Sequence, residues 1–289
     1  MRHPLSSRTP RTPRATRLRH LAMALLLMLT AGALSAHELF WHPGSFFLAP
    51  NTSVRIPLFN GSFSQSEAIF AWPRILDLSV ASADGRAAMD SSQWDTLTDK
   101  NTSWLSYTTG GPGTYVIGLS SKLSGTRLME AKDFNQHLVD YGLPDVLAER
   151  GKDGSLKSAA RYRLHKHAKA LFQVGEARSA GWATALGHPA EFVPLENPYA
   201  AKPGATLGFK CLVDGKPVSN QLVVIGGRVG STAEEQPPVT TRCDQDGVVK
   251  VKLDRAGFWY MKFIHMARAP DDKVDYESKW ATITFEVRQ

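Results

Sequence analysis

The chain lacks the signatures that most catalytic chemistry requires. It has no nucleophile elbow, no phosphate-binding glycine loop, no HExxH and no CxxC. Hydrolase, nucleotide-binding, zinc-protease and dithiol-redox readings therefore have nothing to rest on, and the chain is expected to be non-catalytic. Cysteine is scarce: Cys211 and Cys243 are the two in 289 residues. A second long apolar run is also missing, so nothing outside the N-terminus approaches the roughly 20 residues needed to cross a bilayer as a helix.

The one long apolar run is LAMALLLMLTAGAL, from Leu21 to Leu34. It follows a stretch carrying Arg2, Arg8, Arg11, Arg14, Arg17 and Arg19 and no acidic residue, and small residues follow it at Ser35 and Ala36. A basic segment, a short apolar segment and small residues in that order make a secretory signal peptide over residues 1–36. Cleavage after Ala36 would leave His37 as the first residue; Ala31-Gly32-Ala33 offers a competing cut. The segment holds six of the 34 basic residues and none of the 27 acidic ones, so the remainder carries a net charge of +1. The sequence pI of 9.4 belongs largely to the leader. Neither nucleic acid nor an anionic membrane is an expected partner, and no membrane span is expected after cleavage. Export would place the protein in the periplasm, where Cys211 and Cys243 could pair; two buried unpaired thiols are the alternative.

From Ser45 to Leu119 short β-type runs are broken by Asn60-Gly61, Asp84-Gly85 and Gly110-Gly111-Pro112-Gly113. That spacing predicts an N-terminal β-sandwich lobe over 37–128. Between Leu128 and Val174 the period changes: Phe134, Leu138 and Tyr141, then Leu164, Ala168 and Leu171, recur by four and three. These stripes predict a helical insertion over 129–175, with Pro144 in a first turn and a further helix beginning near Ser155. From 188 to 289, seven short β runs with hairpin dipeptides at Asp214-Gly215 and Asp246-Gly247 predict an immunoglobulin-like β-sandwich. The expected fold class is mainly β: two sandwich lobes with helices between them.

Seven histidines lie beyond the leader, and neutral imidazole is the commonest protein metal ligand. As a first residue, His37 could close a chelate through its α-amine and ring, a donor set suited to copper or nickel. His42 falls on the opposite face if ELFWH is extended. His165 and His167, two apart on the predicted helix, would point roughly 200° apart and could not share an ion. His137 reads as a surface residue beside the Phe134, Leu138, Tyr141 stripe. His265 ends an apolar strand before a polar connection with Asp271, Asp275 and Glu277, and His188 precedes Pro189 at the expected lobe boundary.

The strings AHELFWHPGSFFLAP, FNGSFSQSE, GPGTYVIGLSSK, DFNQHLVDYGLPDVL, GHPAEFVPLENPY and FIHMARAPDDKVDYESKWATITFEV resemble an exported bacterial domain-of-unknown-function family labelled with nickel uptake. The resemblance runs from Ala36 to Val287. It implies a Gram-negative periplasmic protein with two β-rich lobes that handles a transition metal, with His37 and His265 matching histidines of relatives. Some relatives carry a histidine-rich loop after QLVV; here it reads IGGRVGSTAEEQPP and has none. The expected function is therefore a nickel- or cobalt-type binding or uptake accessory, copper being chemically sensible too, with His37, His265 and His188 as donors. Its expected partner is a metal transporter or outer-membrane receptor. The alternative is an envelope module that binds a protein or glycan without metal. N-terminal sequencing of the secreted form should read His37 first; a start at Leu34 would remove the amine chelate.

Overall fold

The computed structural model describes residues 37–230, 235–271 and 273–289, excepting the Asp99 side chain; the predicted leader and both candidate cleavage points lie outside them. The centre of the fold is the strand Ala160–Val174, in a stretch where the sequence pattern predicts a helix. It pairs in parallel with Tyr276–Val287, Tyr162 facing Tyr276 through to Ala170 facing Thr284, and antiparallel with Gly113–Ser121. From Lys166 to Val174 every residue is buried. A strand covered on both faces loses the apolar/polar alternation that would reveal it. Within it, Leu164, Ala168 and Leu171 happen to fall at helical spacing. The helical insertion is therefore shorter than expected: it comprises Ala131–Asp140 and Pro144–Lys152, then a single 3-10 turn at Ser155–Lys157. Phe134 and Leu138 do form the buried stripe, and Pro144 does open the second helix.

The central sheet runs in the order Glu235–Arg242, Leu222–Val229, Gly257–Arg268, Tyr276–Val287, Ala160–Val174, Gly113–Ser121, Ile75–Ser82, Gly85–Ala88. Strands from both sides of the expected boundary near Gly187 thus meet in one hydrogen-bonded ladder, and the described residues belong to one compact unit. A first outer sheet, Glu38–Trp41, Ser53–Gly61, Thr102–Thr108 and Trp94–Leu97 in spatial order, covers one face. A second, Ala190–Pro194, Thr206–Val213 and Lys216–Pro217 with Val248–Lys252 on the other side of Thr206–Val213, covers the opposite face. The fold class is mainly β, as the sequence indicates, and the sandwiches share their middle layer.

Alternation decides what each face receives. On Ala160–Val174, Gly257–Arg268 and Tyr276–Val287, even-numbered residues meet the first outer sheet: Thr282 and Thr284 donate to the carbonyls of Leu39 and Trp41 at 2.5 and 2.9 Å. The Trp41 indole donates back to Ala168 O at 3.2 Å and packs edge-on against Trp94. Odd-numbered residues meet the second outer sheet, where Phe192 packs on Phe263 and Phe209 on Phe285, at centroid separations of 4.9 and 5.6 Å. The two helices cover the end of the even face, burying Phe134, Leu138 and Val146 against Tyr162, Tyr276 and Trp280. Arg150, itself buried, fixes them by donating to Asn135 Oδ1 and to the carbonyls of Ser155 and Ser158.

Cys211 and Cys243 do face one core, as the alternation of Leu207, Phe209, Cys211 and Val213 implies. Both are buried free thiols, with sulfurs 3.0 Å apart. Among the described residues no helix is long and apolar enough to cross a membrane. Because Trp41 is fully buried and ties the first outer sheet to the central strand, Trp41→Ala should lose about 3–5 kcal/mol of stability in urea denaturation followed by circular dichroism. A loss below about 1 kcal/mol would mean the first outer sheet contributes little to holding the layers together.

Candidate functional site

Extended backbone, not helix, carries LHKHAK, and this reverses the expectation for its histidines. Residues two apart on a strand project to the same face, so His165 and His167 lie side by side with ring centroids 5.7 Å apart. His188 arrives from the connection leading into Ala190–Pro194 and lays its ring 5.7 Å from His167 on the other side. The three imidazoles form a row on the odd face of the central sheet, beneath the second outer sheet. Glycine makes the approach feasible: a Cβ at Gly118 would sit 2.0 Å from Leu186 Cδ1 and 2.9 Å from His188 Cε1.

Each ring has one nitrogen already engaged. His188 Nε2 lies 3.1 Å from Asp77 Oδ2, His167 Nδ1 3.0 Å from Ser120 Oγ, and His165 Nε2 3.2 Å from Glu277 Oε1. The two carboxylates are themselves held. Arg86 donates to Asp77 at 2.6 Å, to Ser79 Oγ at 2.9 Å and to Leu186 O at 2.8 Å, while Arg163 donates to Glu277 at 2.9 Å. The other nitrogens of the two inner rings, His167 Nε2 and His188 Nδ1, are buried with no hydrogen-bond partner among the described residues. Buried polar atoms without a partner are uncommon and call for a physical explanation. Burial, with smaller contributions from His188, His165 and Lys279, pushes the His167 pKa down to about 2, so at neutral pH its ring is uncharged.

The segment that delivers His188 is fixed by a buried ion pair. Glu191 Oε2 lies 2.8 Å from Lys169 Nζ, both side chains being 1% exposed. The same carboxylate accepts from the backbone N–H groups of Leu186 and Gly187, and Lys169 also donates to the carbonyls of Thr184 and Phe192. Although burial opposes it, the Lys169 ammonium holds the Glu191 carboxyl below its usual range. Charges this deep are tolerated because every oxygen and proton of the pair has a partner.

Of the three histidines singled out as metal donors, only His188 belongs to the row. His265 shares the odd face, since His165, Lys279 and His265 stand in register on adjacent strands, but Lys279 separates them. Its Nδ1 instead lies 3.1 Å from Gln221 Oε1. His37 is on the even face, its Nε2 3.0 Å from Glu67 and its carbonyl accepting from Lys166 Nζ. His42 stacks on Phe59 at 4.5 Å and touches Arg228; burial and that guanidinium push its pKa down to about 4. His137 is half-buried, its ring tilted against Tyr141 at 4.1 Å rather than standing free on the surface. Among the described residues no group of three or more His, Cys, Asp or Glu side chains is placed to hold a metal ion, the row included. The signal that could have found it is polar residues at alternate positions, His165, His167, Lys169, inside an otherwise buried run.

Fold and site together define a three-layer β protein with a buried histidine row between its layers. The chain belongs to the family described as domain of unknown function DUF4198, whose model matches residues 34–267. No curated protein matches it. Among solved structures, the D0-D1 domain of intimin shares 13% identity over 86% of this chain and 97% of its own, at a TM-score of 0.19. Dimeric latent PorU from Porphyromonas gingivalis shares 11% identity over 90% of this chain and 21% of its own, also at 0.19. Salmonella alpha-2-macroglobulin reacted with methylamine shares 11% over 88% and 15%, at 0.22. Overlaps at that level bear on neither fold nor function.

The neutral buried histidines make stability depend on pH. In the unfolded chain His42 and His167 titrate near 6.5, whereas the folded chain holds them near 4 and 2. The unfolded state therefore binds more protons below about pH 6.5, and stability, fully present above it, falls as pH drops toward 5. The slope approaches about 1.4 kcal/mol per pH unit per histidine. Urea unfolding at pH 7, 6 and 5 should show this, and His167→Gln should reduce the slope by about one proton. A profile flat between pH 7 and 5 would contradict neutral burial of these rings.

Proposed function

We propose that this chain is an exported periplasmic protein that binds a divalent transition metal, nickel or cobalt in type, and catalyses no reaction. The supporting observation is the pair of orphaned nitrogens, His167 Nε2 and His188 Nδ1, on adjacent rings whose other nitrogens are held by Ser120 and Asp77. In metal sites the second nitrogen of a ligating imidazole is characteristically tied to an acceptor that fixes its tautomer and orientation. A neutral imidazole has a free lone pair for a metal, and nitrogen donors favour nickel, copper, cobalt and zinc over magnesium or calcium. His167 and His188 would be the donors once their rings turn toward one ion, since among the described residues no three such side chains are placed to hold one, and His165, at 14% side-chain exposure, marks the point of entry. The basic and apolar N-terminal segment supports export, and a metal transporter or outer-membrane receptor is the partner such a carrier would serve.

His37 and His265 are not donors to this row, which separates the reading from an N-terminal chelate. Titration of the EDTA-treated protein with Ni²⁺, Co²⁺ and Cu²⁺ should give one site tighter than about 1 μM, with copper tightest and cobalt weakest of the three. His167→Gln and His188→Gln should each weaken it by about tenfold or more while His265→Ala leaves it intact. Absence of binding at micromolar metal would end the proposal. A loss confined to His37→Ala would move the site to the N-terminus.

A further inference from the structure

A second feature lies on the opposite face of the strand that carries the histidine row. Because side chains alternate, Lys166 points away from His165 and His167, and it forms part of the lining of a cleft of about 690 Å³. The cleft opens between the start of the first outer sheet, the helix Ala131–Asp140 and the connection that follows Gly113–Ser121. Three more cations line it. Arg74 ends the 3-10 turn Trp72–Arg74, with its guanidinium 4.3 Å over the Phe70 ring. Lys122 is tethered beside it by its own N–H, which donates to Arg74 O at 2.8 Å. Arg127 opens the short strand Arg127–Met129, which pairs with the beginning of Ala160–Val174.

Among the described residues no carboxylate lies within ion-pair distance of Arg74, Lys122, Arg127 or Lys166. The carboxylates on this side are already committed: Glu38 to Lys262 at 2.6 Å and Glu67 to His37 at 3.0 Å. The cations also sense one another. Burial pulls the Lys166 pKa down to about 8 against the attraction of Glu38, and Arg74 and Arg127 pull it down further. Convergent unpaired cations repel in the absence of a ligand, and an anion placed among them removes that repulsion.

One part of the remaining wall is aromatic. Tyr141 lies 4.9 Å from Trp280, His137 lies 4.1 Å from Tyr141, and Lys166 sits 5.1 Å from the Trp280 centroid. His137 also lines the cleft, and burial pushes its pKa down to about 4, so its ring is neutral there; among the described residues its buried Nε2 has no hydrogen-bond partner. A lone phosphate or sulfate would fill only a small part of the volume and leave the aromatic wall unused. We infer that the cleft binds a small organic acid with two or three carboxylates, its charges on Arg74, Lys122 and Arg127 and its carbon skeleton against Tyr141 and Trp280. Guanidinium groups match carboxylates in paired, directional hydrogen bonds, which favours this class over a neutral sugar.

The site does not depend on the histidine row, and it can be tested with metal removed. Calorimetric titration of the EDTA-treated, dialysed protein with citrate and with tricarballylate should give 1:1 binding with Kd near or below about 100 μM, weakening as salt rises. Inorganic phosphate should bind more weakly than either acid. Lys122→Gln with Arg127→Gln should weaken citrate by about tenfold or more, whereas Lys250→Gln, an exposed cation on another sheet, should leave it unchanged. Absence of heat at millimolar citrate, or an equal loss in Lys250→Gln, would overturn the inference. Phosphate binding as tightly as citrate would also overturn it, because the aromatic wall would then contribute nothing.

Discussion

The structure depends on the parallel ladder between Ala160–Val174 and Tyr276–Val287. Parallel pairing requires both faces of a strand pair to be covered, because the slanted hydrogen bonds are sheltered only when water is kept from either side. Here each face is covered by a separate antiparallel sheet, and the helices close the end. The ladder turns two successive sandwiches into three layers with a shared middle. Residues of Ala160–Val174 consequently face two different environments at 3.3 Å intervals along the chain.

That alternation accounts for both proposed sites. His165, His167 and Lys169 fall on one side and meet His188 and Glu191; Lys166 falls on the other, over Trp280, in the cleft that Arg74 also lines. The polar residues are held within a buried strand by partners brought from far along the chain, most firmly by the Lys169–Glu191 pair. Removing one partner of such a pair leaves an uncompensated buried charge, typically at a cost of about 3–5 kcal/mol. The segment Leu186–His188 is anchored through the same carboxylate, so the placement of His188 and the stability of the layer contact are linked.

The polar row and the cationic cleft differ in what they leave unsatisfied. In the row, the unsatisfied atoms are neutral lone pairs, which attract a cation able to accept nitrogen donors. In the cleft they are positive charges, which attract an anion. Only one strand separates them, and a single backbone presents opposite chemistry to its two faces.

Local pattern was enough to read the mainly β class, the short strands and their turn dipeptides, the buried stripe of Phe134 and Leu138, Pro144 at a helix start, and the shared core of Cys211 and Cys243. Tertiary structure decided the rest. Whether LHKHAKALFQV is helix or strand is not settled by spacing once both faces are buried, and that choice sets whether His165 and His167 point apart or together. Bringing His188 beside them, placing Lys279 between them and His265, and gathering Arg74, Lys122 and Arg127 around Lys166 all depend on pairings between distant segments. Sequence periodicity holds no information about such pairings.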